Sequence, residues 1–94
     1  MAIDKEALSS FFAECQKIAS ERNAIYGDES LKKFSETGML IRAFDKLERI
    51  RHLIGNKGIS GGDERLKDSC IDAANYLAYI ALSWEGMLYE DTEL

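Results

Sequence analysis

Three acidic side chains at four-residue intervals, Glu64, Asp68 and Asp72, followed by Asn75 and Tyr76, are the residues of this chain best suited to chemistry. Residues four apart on an α-helix stand above one another, so the three carboxylates form a ladder that could share a divalent cation, with magnesium the expected one. Crowded carboxylates repel, and that repulsion must be relieved by a cation, by basic neighbours or by a wide solvent face. Asn75 lies on the side of Glu64 and Asp68, where its amide could support a metal-bound water or read a ligand edge. Tyr76, with Tyr79 and Trp84, could stack on a base or simply fill a core.

A second set of charges precedes the ladder. Arg42, Lys46, Arg49 and Leu53 follow one another at intervals of four, three and four, so three cations share a line along one flank of a helix. If that helix packs beside the acidic one, two readings follow. The cations pair with Glu64, Asp68 and Asp72 in a partly buried ion network that fixes helix register. Alternatively, a divalent ion occupies the ladder while Arg42, Lys46 and Arg49 grip phosphate oxygens, the division of labour that phosphoryl chemistry uses.

Helices are the elements that must position these residues. Leu8, Phe11, Phe12, Cys15, Ile18 and Ala19 recur at three- and four-residue spacing behind Asp4, which predicts a capped helix over about 4–22. Tyr26-Gly27-Asp28 breaks the period, and Leu31 with Phe34 predicts one short helical turn in a connector over 23–36. The next helix is expected from Thr37 or Gly38 to Ile54, with Leu40, Ala43, Phe44, Leu47, Ile50 and Ile54 as its core stripe and Gly55 as its stop.

Residues 55–62 contain four glycines but lack the lysine-hydroxyl ending of a P-loop, so they read as a helix connector. Asp63 is the expected N-cap of a final helix over 64–89, apolar on two sides and therefore enclosed, with the last residues fraying. No segment alternates as a strand would.

With 94 residues, no proline and a net charge of −5, the chain is expected to be one all-α domain over 1–94, small enough that self-association would help bury its apolar faces. Charge is segregated: residues 39–58 carry five cations against two acids, while 63–94 carry eight acids against two cations. An acidic chain without a dense basic stripe does not suit sequence-specific duplex DNA binding.

Cys15 and Cys70 fall on apolar stripes without ligand-type spacing, which predicts buried thiols in a reducing cytoplasm. Neither a signal peptide nor a membrane segment is read from the sequence. His52 sits among arginines near a helix end, a place for a dipole-compensating residue, and no arrangement of serine, cysteine and histidine points to covalent catalysis.

Three blocks carry a resemblance: Arg22-x-x-x-Tyr26-Gly27, then Gly38-x-x-x-Arg42-x-x-x-Lys46-Leu47-x-Arg49-Ile50, then Glu64-x-x-x-Asp68-x-x-x-Asp72-x-x-Asn75-Tyr76. Together they resemble the small, largely phage-borne nucleotide modification associated domain, type 1, over roughly 18–84. That resemblance implies a MazG-like all-α bundle of three main helices and a short connecting one, related to magnesium-dependent nucleoside triphosphate pyrophosphohydrolases.

The MazG-like signature pairs Glu-x-x-Glu on one helix with Glu-x-x-Asp on the next. Here Asp45-x-x-Glu48 resembles the first half, but Lys67 and Ser69 interrupt the second, and Asp45 and Glu48 are expected on the side away from the core stripe. The implied function is binding or processing of a nucleotide or other small phosphorylated ligand in the cytoplasm, the host's if phage-encoded, by a homodimer. The alternative is a non-catalytic protein that kept the fold and binds a host protein or sequesters a small molecule.

Overall fold

The computed structural model describes residues 1–26, 32–56 and 64–89. They form three helices, α1 (Lys5–Tyr26), α2 (Glu36–Gly55) and α3 (Glu64–Trp84), and no strand occurs among them. None of these helices is long and apolar enough to cross a membrane. The expected cap at Asp63, residues 27–31 of the first connector, Leu31 of the predicted turn among them, and residues 57–62 of the second lie outside the described residues. The chain divides into two compact units, Met1–Lys33 and Phe34–Leu94.

In the first unit Asp4 caps α1 as its sequence position predicts: its carboxylate accepts the Ala7 N–H at 3.0 Å, and its carbonyl accepts the Leu8 N–H. The helix runs to Tyr26, four residues past its expected end. Of the predicted stripe only Cys15 is buried; Phe11, Ile18 and Ala19 are half-buried, and Leu8 and Phe12 are exposed.

The second unit is an antiparallel helix hairpin. α2 starts at Ser35, whose hydroxyl accepts the Gly38 N–H at 3.2 Å while its carbonyl accepts that of Met39. Two contacts fix the register. Ser83 donates to Glu36 Oε2 at 2.9 Å, and Lys46 Nζ lies 3.0 Å from Asp72 Oδ2. Stepping between these two points in opposite directions puts Ala43 level with Asn75 and Tyr76.

The face of α2 turned inward differs from the expected stripe. Met39, Ala43 and Leu53 are buried and Lys46 and Ile50 half-buried, a repeat of four, three, four and three. Leu40, Phe44, Leu47 and Ile54, expected in the core, are instead 42% to 69% exposed. Relative to expectation the helix is turned by about 80°, at 100° per residue. The physical reason is Lys46. Its aliphatic stem lies along the helix seam while its ammonium reaches Asp72, so the seam includes a residue that an apolar pattern passes over.

α3 is enclosed over its middle, where Ser69, Ile71, Asp72, Ala73 and Asn75 are buried, but Leu77, Ala81, Leu82 and Trp84 are exposed. Among the described residues Met39 and Ile71 are the largest fully buried side chains, each worth about 1.5–3 kcal/mol of burial.

α3 also ends at Trp84, not at residue 89 as expected. Gly86 adopts φ +72°, the left-handed region, and the Met87 N–H reaches back to the Leu82 carbonyl at 2.8 Å and the Gly86 N–H to that of Ser83 at 3.0 Å. These paired bonds are a Schellman stop, which satisfies the last carbonyls and turns the chain off the helix axis.

Candidate functional site

Phe34 packs against the first turn of α2: a methyl group placed on Gly38 would meet its ring at 3.4 Å. One turn further on, the Arg42 guanidinium lies over the same ring, 5.1 Å from its centroid. Such stacking fixes the side chain while its charge and N–H groups remain available to an anion. Lys46 follows on the helix and pairs with Asp72, whose side chain is 11% exposed against 33% for the lysine. Arg49, another turn along, is exposed and has no ion-pair partner among the described residues.

These three cations meet Asp45 and Tyr76 around a cleft of about 330 Å³ on the second unit. That volume is at the lower end for small-molecule sites and suits a phosphate-bearing part of a ligand. Tyr76 forms one wall of the cleft, with its ring edge-on to Tyr79, centroids 6.0 Å apart. Counting the Lys46–Asp72 pair as neutral, Arg42 and Arg49 outweigh Asp45, so the cleft keeps an excess of positive charge in an acidic protein. An excess of positive charge in a concave site attracts anions.

No family model, curated protein or solved structure matches this chain.

The cleft therefore carries the functional reading. It brings together the three expected phosphate-binding residues, Arg42, Lys46 and Arg49, with one of the two expected ligand-binding residues, Tyr76. Asn75, the other, is buried on α3, 8% exposed, and is not among the cleft residues.

The acidic ladder is distributed differently. Asp72 is buried and tied to Lys46, Asp68 is exposed, and Glu64 begins α3 with its side chain outside the described residues. Among the described residues no group of three His, Cys, Asp or Glu side chains could hold a metal ion. The ladder itself, which needs the Glu64 carboxylate, lies partly outside the described residues.

Asp45, expected on the side away from the core stripe, is exposed and also lines the cleft. It lies three residues after Arg42 and four before Arg49, so it stands among the cations whichever way α2 is turned. That spacing was the signal in the sequence for its place in the cleft. Glu48 takes a separate course: exposed, it accepts from Arg51 at 2.9 Å, and that hydrogen bond and charge hold its carboxyl below the usual carboxylate range.

Proposed function

We propose that the Arg42–Lys46–Arg49 cleft binds the phosphate groups of a nucleotide, with Tyr76 against the sugar or base, and that this chain is a nucleotide-binding or nucleotide-processing protein of the kind its sequence blocks resemble. The observation that carries the reading is the convergence of three cations and a tyrosine on one concave site in a chain of net charge −5. Arg42, preset on Phe34, and the exposed Arg49 supply the charge for phosphate oxygens; Lys46 shares its charge between Asp72 and the cleft. Asp45 sets an acceptor beside them, suited to a ribose hydroxyl or to a cation that accompanies the phosphates.

Magnesium-dependent hydrolysis of a nucleoside triphosphate to monophosphate and pyrophosphate is the enzymatic form of this proposal, with cytoplasmic homodimers as the working form. A titration series decides the binding part. Nucleoside, mono-, di- and triphosphate are titrated calorimetrically with and without magnesium, and affinity is expected to rise with phosphate number. Pyrophosphate release decides the catalytic part.

A second reading is supported by the Lys46–Asp72 pair. One rung of the ladder is spent on helix register, as in a non-catalytic relative that binds a host protein or sequesters a small molecule. Equal, negligible affinity across the whole phosphate series would favour that reading.

A further inference from the structure

On the side of α2 away from the cleft, Leu40, Phe44, Leu47 and Ile54 form a continuous exposed line, 42%, 58%, 45% and 69% accessible. Arg51 completes the pattern, so that positions 40, 44, 47, 51 and 54 repeat at four, three, four and three, the spacing of a helix–helix seam. The four apolar side chains offer a patch on the order of 400 Å², a size at which exposed apolar surface marks an interaction site. One such patch from each of two copies, with its polar rim, approaches the lower range of stable interfaces.

The rim identifies the occupant. Glu48, at one edge of the line near its middle, is paired at 2.9 Å with Arg51 within it, both largely exposed. We propose that this face of α2 is a two-fold interface with a second copy of the chain, the two helices running antiparallel. A two-fold interface must be self-complementary, and this line satisfies that condition. With the axis passing close to Arg49 in sequence level, Phe44 meets the partner's Ile54, Leu47 lies on the aliphatic stem of the partner's Arg51, and Glu48 faces the partner's Arg51. Each contact occurs twice. The rim then closes as a ring of two carboxylates and two guanidiniums, each bonded within its helix and across the axis. The cleft, on the other flank of α2, stays open in each copy.

Complementary charge variants test this arrangement by sedimentation equilibrium at micromolar concentration, with helical content followed by circular dichroism. The parent is expected to be a dimer. Glu48→Arg and Arg51→Glu, each alone, set like charges across the axis and should give helical monomers. Mixed in equal amounts, one chain offers two cations where the other offers two anions, and the mixture should return to the dimer mass, with the recovery fading in high salt. Phe44→Glu should give a monomer that no mixing rescues. A monomeric parent overturns the proposal, as does an oligomer indifferent to Phe44→Glu, or two single-charge variants that stay apart when mixed.

Discussion

Lys46 and Asp72 are joined across the helix hairpin at 3.0 Å, the lysine a third exposed and the aspartate nearly enclosed. One ion pair therefore belongs both to the packing of α2 on α3 and to the wall of the cleft. It separates the roles of two cations that the sequence presents as equivalent.

Lys46→Met should lower stability by about 1–3 kcal/mol, between the values for exposed and enclosed pairs, because Asp72 loses its cation while buried. Arg49→Met should leave the melting temperature within a degree or two and weaken triphosphate binding about tenfold, the loss of one charge-assisted contact. Thermal melts and titrations on both variants check the split.

The two glycines at helix ends should respond in opposite directions. Gly86 holds φ +72°, so Gly86→Ala should cost about 1–2 kcal/mol by forcing a side chain into the left-handed region. Gly55 has open space around it and no positive φ, so Gly55→Ala should gain about 0.4–1 kcal/mol by restricting the unfolded chain. Denaturant midpoints with unchanged slopes would measure both.

Burial, with the charge of Glu14, pushes the Cys15 thiol above its ordinary range. A raised value means that the thiol contributes its stability below the ordinary cysteine range and loses it only as pH rises through the shifted value. At neutral pH the thiolate is scarce as well as covered. Iodoacetamide should therefore modify Cys70, which is half-buried, well before Cys15 in the folded protein, as mass mapping of the labelled peptides would show; neither cysteine is in a disulfide.

Glu48 behaves in the opposite sense. Its carboxyl is lowered by the Arg51 hydrogen bond and charge, so the interaction is complete above the ordinary carboxylate range and is lost as pH falls through the lowered value. Carboxyl carbon shifts of Glu48 should titrate below the ordinary glutamate range, and Arg51→Met should bring the Glu48 midpoint back toward the ordinary value.

The helices were legible in the sequence because their caps and periods are local. Asp4 caps α1 where expected, and α2 begins within two residues of its predicted start. The end of α3 was legible in principle, since Gly86 lies just past it, but the apolar residues Met87 and Leu88 continue the periodic pattern beyond a stop that depends on backbone conformation.

The rotation of α2 was harder to read. Leu40, Phe44, Leu47 and Ile54 make the better apolar stripe, and only the partner helix reveals that Lys46 takes a seam position. The cationic line was nonetheless found, because charge spacing on a helix does not depend on which face is inside. The same holds for Asp45, three residues from Arg42 and four from Arg49 on the same helix.

The Ser83–Glu36 bond closes the hairpin at the end opposite its connection, and Lys46–Asp72 pins it again at mid-length. Helix alignment is thus set by contacts that the intervening segment does not make. Two fastenings, at Glu36 and at Lys46 on α2, act like a pair of rivets, so sliding one helix past the other by a turn would have to break both at once. The level at which Tyr76 meets the cationic flank is thereby fixed from within α2 and α3.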